Sequence, residues 1–363
     1  MNLRCSACHR VYPSDTREWH CECGGIFELD GATPFKAQEI KSQVPTLWRY
    51  QAMLPIQHEQ NIVTLGEGFT PLVAIHIYGL PVLCKLEFLA PTGSFKDRGM
   101  AVLVSVLQGW GVTKVVEDSS GNAAASLAAY CARAGIQARI FVPVHASPAK
   151  LAQIAVYGAE LVTVEGPREN CALAAQEAAQ KAYYASHSYN PFFVEGTKTF
   201  AYEIWEHLGR SAPDNLVLPV GNGSLLLGAY HGFAELQTAG LLNRIPRLFG
   251  VQAQACAPVY AAYRQGLEDV PPISGGATIA EGIRIAHPVR GRQILRAVCE
   301  TGGAIVAVDD VEIRDAQVSL ARVGLYVEPT SATAVAALRK LDKAITAGEI
   351  TIVALTGSGL KSA

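Results

Sequence analysis

An α/β fold, with mostly parallel sheets flanked by helices, is what this sequence predicts, in two domains with a small N-terminal appendage. Three observations carry that expectation. Short apolar strands alternate with helical segments over the greater part of the chain. At 363 residues and 50% hydrophobic, the chain is long enough to bury more than one core. Four of its nine cysteines fall before residue 25, in a stretch too short to make a core without a staple.

The appendage, residues 1–30, reads Cys5-x-x-Cys8, twelve residues, then Cys21-x-Cys23-Gly24-Gly25. Two thiolate knuckles closed by glycines bring four soft ligands round one tetrahedral zinc, a closed structural site with no open position for a substrate. The alternatives are a degenerate ribbon or reduced thiols, and His9 and His20 stand close enough to substitute as ligands. Residues 31–61 follow no period and carry Pro34, Pro45 and Pro55, so they read as a linker with short helices. Leu65-Gly66-Glu67-Gly68-Phe69-Thr70-Pro71-Leu72 is a tight turn.

An apolar run from Val82 to Leu89 precedes a Pro-Thr-Gly-Ser turn, and a helix is expected over Met100 to Leu107. Strands are expected at Lys114–Glu117, Gln137–Val142, Leu161–Val164, Asn215–Val220, Leu248–Val251, Ala304–Val308 and Thr351–Leu355. Helices are expected at Ala123–Ala134, Pro148–Tyr157, Cys171–Tyr183, from about Leu226, at Asp310–Arg322 and at Ser331–Leu341.

A net charge of −2 gives no electrostatic reason to expect nucleic acid or an acidic membrane as partner. The N-terminus lacks the layout of a signal peptide, and no apolar stretch approaches the ~20 residues of a membrane span. A cytoplasmic protein acting on a small molecule, as a homodimer, is the expectation. Cys84, Cys131, Cys171, Cys256 and Cys299 are scattered singly among apolar neighbours, which suits reduced core residues rather than a disulfide framework.

The chemistry centres on Lys96. It stands at the mouth of a helix, where the positive end of the dipole lowers its pKa and favours the neutral amine that attacks a carbonyl. Taken alone, Lys96-Asp97-Arg98 reads first as a solvated polar turn between a strand and a helix. Gly221-Asn222-Gly223-Ser224-Leu225 lies between a strand and a helix, so its N–H groups and the Ser224 hydroxyl can surround a phosphate. A dinucleotide fingerprint fails there, because Leu226 stands at its sixth position. Ser147-Pro148-Ala149-Lys150 has the spacing of acyl-enzyme hydrolases but no companion motif.

The string Pro91-Thr92-Gly93-Ser94-Phe95-Lys96-Asp97-Arg98-Gly99 closely resembles the cofactor-lysine segment of threonine synthases, within the fold-type-II pyridoxal-phosphate (PLP) enzymes. The resemblance extends to the ribbon, the Gly-Glu-Gly turn, Ser119-Ser120-Gly121-Asn122, the glycine loop, Val327-Glu328-Pro329-Thr330-Ser331-Ala332 and Thr356-Gly357-Ser358-Gly359. It implies a tryptophan synthase β-like architecture of two open parallel-sheet domains. The large one takes residues 62–92 and 206–363, the small one 93–205, and the cofactor lies between them.

By the same resemblance Lys96 holds the cofactor, and Gly221, Asn222, Gly223, Ser224 and Leu225 hold its phosphate. Thr356 faces the pyridine nitrogen and Asn122 the 3′-oxygen, while Ser119, Ser120 and Gly121 cradle the substrate carboxylate. On residue type alone, Asn122 is a helix cap and Thr356 an ordinary strand end. The implied reaction is a lyase reaction of amino-acid biosynthesis, from O-phosphohomoserine and water to threonine and phosphate.

Three positions depart from the family. Phe193, in Asn190-Pro191-Phe192-Phe193-Val194-Glu195-Gly196-Thr197-Lys198-Thr199, stands where an arginine for the substrate phosphate is expected; Leu225 and Ala90 replace asparagines. A phenylalanine cannot pair with a dianion. Either Lys198, Arg284 or Arg290 takes over, or the substrate is another serine-like or activated amino acid undergoing β-elimination or replacement. A rival from a different class is a non-enzymatic zinc-ribbon module that binds nucleic acid or protein.

Overall fold

The computed structural model describes residues 2–31, 34–146 and 148–361. Ser147 of the Ser-x-x-Lys motif lies outside the described residues. The chain divides into two units, the first comprising residues up to Gly68, Ala90–Thr92 and Lys96–Thr197, the second Phe69–Leu89, Gly93–Phe95 and Lys198 onward.

In the first unit a four-stranded, all-parallel sheet runs in the order Glu160–Val164, Gln137–Pro143, Lys114–Glu117, Tyr183–Tyr184. Val115 and Val116 are buried on a central strand, as β-branched residues covered on both faces of a parallel sheet should be. The helix expected to continue to Tyr183 stops at Ala178, which frees Tyr183 and Tyr184 to pair with Val115 and Val116. A separate antiparallel sheet of Asn2–Cys5, Val11–Pro13 and Phe27–Asp30 forms the N-terminal appendage. Within residues 34–61 lie short 3-10 helices, and Leu47, Trp48, Tyr50 and Met53 are buried there.

The second unit holds six strands in the order Ala304–Val308, Arg247–Ala253, Asn215–Pro219, Thr351–Ala354, Leu80–Lys85, Leu72–Ile77. All pairs are parallel except the last hairpin, which closes the edge antiparallel. Its helix Asp310–Arg322 starts at a full capping box between Asp309 and Glu312. The helix expected over Ser331–Leu341 begins earlier, with Pro329 in its first turn, and gives way to 3-10 geometry at Ala337.

Both parts of the Gly-Glu-Gly-x-Thr-Pro turn are structural. In the first unit the buried Glu67 carboxylate accepts from Trp48 Nε1 (2.6 Å), Leu65 N (2.8 Å) and the Tyr130 hydroxyl (2.7 Å). In the second, Phe69 N donates to Glu203 (2.6 Å), Thr70 to Glu87 (2.6 Å), and the buried Lys85 ammonium to Glu203 (2.8 Å). Charges taken out of water survive only when paired in this way. Of the scattered cysteines, Cys84, Cys131, Cys171 and Cys256 are buried as expected, whereas Cys299 is exposed.

Candidate active site

Lys96 is the first residue of the helix Lys96–Gly109. Its turn is fixed from the next residue: buried Asp97 accepts from Thr92 N (2.7 Å), the Thr92 hydroxyl (2.6 Å) and the Ser126 hydroxyl (2.6 Å). One carboxylate thereby ties the turn to the helix Asn122–Ala134, so the lysine sits on rigid elements rather than a loose loop. Gln153 Nε2 donates to Thr92 O (3.0 Å). Farther along, a Cβ on Gly99 would overlap the Phe193 ring, and one on Gly196 would overlap the Arg98 carbonyl. The helix Pro191–Thr197 can therefore press against the lysine helix only because both positions are glycine.

Phe193 is fully buried by that packing, and Lys96 Nζ lies 5.7 Å from its ring centroid. The end of the strand Lys114–Glu117 is also polar: Glu117 is 0% exposed, takes the Ser119 N–H, and lies 2.8 Å from His187 Nδ1. Burial raises the Glu117 carboxyl to about 8, with Asp118 adding to the effect. Burial and the nearby Lys96 hold His187 well below its ordinary value. Asp118 is engaged by Arg168 (2.8 Å) and the Tyr184 hydroxyl (2.8 Å). Glu117 and His187 escaped the sequence reading; the one available signal was an acid directly after the Val115-Val116 pair of the strand Lys114–Glu117.

Ser119, Ser120 and Gly121 form the loop between that strand and the helix Asn122–Ala134, whose first N–H groups have no partner within the helix. A Cβ on Gly121 would meet nothing within 4 Å, so the loop faces open space. Gly121, not Asn122, occupies the cap, and no side chain caps this helix; Asn122 is its first helical residue, so the capping reading is corrected.

In the second unit, Gly221-Asn222-Gly223 joins the strand Asn215–Pro219 to the helix Ser224–Thr238. Gly223 has φ +74°, and a Cβ there would strike Ile294, so glycine is required on both counts. Buried Ser224 and Leu225 open the helix. The Thr356 hydroxyl lies 3.1 Å from Ser331 Oγ, and Gly357 N donates to that same oxygen (2.7 Å). A Cβ on Gly357 would overlap the Glu328 carboxylate. The Glu328–Ser331 segment thus braces the strand end that carries Thr356. Phe95 N donates to Thr356 O (3.0 Å) and Ser358 N to Gly93 O (2.9 Å), stitching the residues just before Lys96 to the same place. Ser94 Oγ is buried there with no hydrogen-bond partner among the described residues. An orphaned hydroxyl of that kind costs about 1–3 kcal/mol, and a polar group of a bound cofactor would supply the missing partner.

The three cations offered in place of the missing arginine differ. Lys198 is neither a surface charge nor available: it is fully buried and bonds Glu235 at 2.9 Å. Arg290 is buried as well, and Arg284 is exposed.

The appendage gathers Cys5, Cys8, Cys21 and Cys23 with all four Sγ atoms within 4.8 Å of one another. A tetrahedral zinc with Zn–S near 2.3 Å needs S···S of about 3.8 Å; Cys5–Cys23 and Cys8–Cys21 lie at 3.5 Å. A Cβ on Gly25 would crowd Cys5 Sγ at 2.5 Å, which accounts for the glycine after the knuckle. Beside it, Trp19 meets Tyr184 and Tyr189 edge-on at 5.4 and 4.7 Å.

The sequence profile of the pyridoxal-phosphate dependent enzyme family matches residues 63–357. A threonine synthase of Methanocaldococcus jannaschii is 38% identical, over 99% of this chain and 93% of that protein. One of Methanosarcina acetivorans is 35% identical, over 98% and 90%. Among solved structures, a threonine deaminase of T.th. superposes with TM-score 0.69 at 26% identity, covering 80% of this chain and 92% of that one. A threonine deaminase isoform 2 of Solanum lycopersicum gives 0.70 at 21%, covering 91% and 87%. The architecture is the fold-type-II one. No described helix is long and apolar enough to cross a membrane.

Proposed function

The chain belongs to the threonine synthase family of pyridoxal-phosphate-dependent enzymes, and from that premise we propose that it is a lyase converting O-phosphohomoserine and water to threonine and phosphate. The observation that carries this reading is Lys96 at the first position of a helix, held by the Asp97 network, in a chain whose similarity to threonine synthases is nearly end to end. A non-enzymatic module leaves residues 63–357 without an explanation.

The residues present fit the cofactor. Lys96 would hold its aldehyde. The N–H groups of Gly221 to Leu225 and the Ser224 hydroxyl would take its phosphate at a helix N-terminus, and Thr356 and Asn122 would serve its ring nitrogen and 3′-oxygen. When bound, pyridoxal phosphate supplies the electron sink for a carbanion at Cα. The protein does the rest. Ser119, Ser120 and Gly121 present N–H groups to the substrate carboxylate and fix its orientation. The Lys96 amine moves protons at Cα and Cβ, phosphate leaves from Cγ, and water adds at Cβ. A hydroxyl at Thr356 carries no negative charge and, unlike a carboxylate, would not hold a proton on the ring nitrogen, which would suit elimination and replacement.

Phe193 favours a second reading, β-elimination or replacement on another serine-like amino acid, because its buried ring offers a phosphate nothing and Lys198 is already paired. One assay separates the two. PLP-loaded protein releases phosphate and threonine from O-phosphohomoserine in equal, sustained amounts if it is a threonine synthase; inertness toward that compound, with pyruvate formed from L-serine, would reject it.

We also assign a structural zinc to Cys5, Cys8, Cys21 and Cys23. Purified protein is expected to carry one zinc per chain, and stripping it to lower the thermal midpoint by at least ~2–4 °C, the shift that a loss of about 1 kcal/mol gives a unit of this size, since ligand binding there stabilises the folded appendage. A metal-free preparation with an unchanged midpoint after zinc is added would remove the assignment.

A further inference from the structure

Lys96 serves Cα and Cβ, yet the proposed reaction also moves a proton at the far end of the substrate. Breaking the Cγ–O bond leaves both electrons on oxygen, and that oxygen departs as a phosphate trianion unless it gains a proton. Water adding at Cβ must in turn lose one. An arginine would ease the first demand by charge, but Phe193 stands where the family resemblance leads one to expect it. In the same unit as Lys96 lies an acid–base couple that no step above uses, Glu117 and His187.

Its placement follows from the sheet. The pairing of Val115 with Tyr183 and Val116 with Tyr184 runs parallel, so the chain leaving each strand emerges on the same side. Glu117 thereby meets His187 Nδ1 at 2.8 Å. The His187 ring stands 5.9 Å from the Phe193 ring, the same ring that lies 5.7 Å from Lys96 Nζ. Its Nε2 has the Ser188 hydroxyl at 3.4 Å, a long contact that a substrate oxygen can replace. The charged groups around His187 are Lys96 from the lysine helix, Glu117 and Asp118 from the strand end, and Arg168 from the helix Arg168–Ala178. Asp118 and Arg168 are bonded to each other, so the couple is the proton-carrying group left over. Burial favours the neutral form of both its members.

We propose that His187, seated on Glu117, is a second catalytic residue of this site, the carrier that protonates the departing oxygen of the substrate side chain and recovers a proton from the water that adds. As the Cγ–O bond breaks, Nε2–H passes its proton to the oxygen, and Nδ1 takes the Glu117 proton. When the water oxygen bonds to Cβ, its proton goes to Nε2, and Nδ1 returns its own to Glu117. The couple ends as it began, and the proton on the released phosphate is in effect that of the water. This rests on Lys96 being the cofactor lysine.

The test uses PLP-loaded full-length His187→Gln and Glu117→Gln in deuterated buffer, with O-phosphohomoserine and, separately, L-serine. Exchange of the substrate Cα hydrogen reports Lys96; release of phosphate or pyruvate reports the leaving group. In His187→Gln, exchange stays within about twofold of wild type while release falls ~100-fold or more; Glu117→Gln shows the same split less severely. The imidazole resonances of the free protein supply a readout apart from turnover: the His187 titration shifts on Glu117→Gln, as it must if the two share a proton. Release at wild-type rate in His187→Gln overturns the proposal, as does joint loss of exchange, release and cofactor absorption in both variants. A split seen with L-serine alone keeps His187 in its role and rejects only the phosphorylated substrate. A wild type that acts on neither compound overturns both readings.

Discussion

Lys96→Ala is expected to take up PLP only loosely and to lose multiple turnover, to below roughly a thousandth of wild type, because the group that holds the aldehyde and the base at Cα are the same amine. The fold should not suffer. Lys96 is at the first helical position, alanine is a good helix former, and the turn is held by Asp97 through Thr92 and Ser126. Circular dichroism and thermal midpoint are therefore expected to match wild type. Threonine formation at an undiminished rate by this variant would take Lys96 out of the mechanism.

The second large effect is on stability. Phe193→Arg installs the residue that the resemblance to threonine synthases leads one to expect there, and the simple expectation is better binding of a phosphorylated substrate. The packing argues the reverse. The Phe193 ring lies against the bare backbone of Gly99, is 0% exposed, and belongs to the same core as Met100, Leu103 and Phe192. A guanidinium there gives up its water and displaces a packed ring, at about 3–5 kcal/mol by analogy with a stranded buried charge. Denaturant unfolding is expected to show that loss, with no fall in KM for O-phosphohomoserine. A stable variant with a lower KM would mean that position 193 opens onto the substrate.

Much of the architecture was legible because local chemistry and global placement agree. Val115-Val116 and Leu216-Val217-Leu218 are apolar runs stopped by turn residues, and they became central strands of parallel sheets. The glycine loop and Thr356 were legible as strand ends for the same reason. Tyr183–Tyr184 was not, since a two-residue strand directly after helical text has no period of its own and exists only because Val115 and Val116 offer an edge. The helix Pro191–Thr197 was hidden by its shortness and by an apolar, aromatic start that gives no 3.6-residue rhythm. Lys198 reads as one more surface charge until its burial on Glu235 is seen. The Glu117–His187 contact joins residues 70 positions apart, and only the register of one strand pair brings them together. The residues flanking Lys96 could thus be read from spacing, whereas those that decide what reacts beside it depend on tertiary pairing.

The most direct test of the central claim is to locate the lysine that holds the cofactor. Purified protein loaded with pyridoxal phosphate is treated with borohydride and digested, and the labelled peptide is sequenced by mass spectrometry. The account predicts a single stoichiometric label on Lys96, in the peptide that begins with Leu86 and includes Gly93-Ser94-Phe95. A label on another lysine, or protein that takes up no cofactor at all, would contradict it.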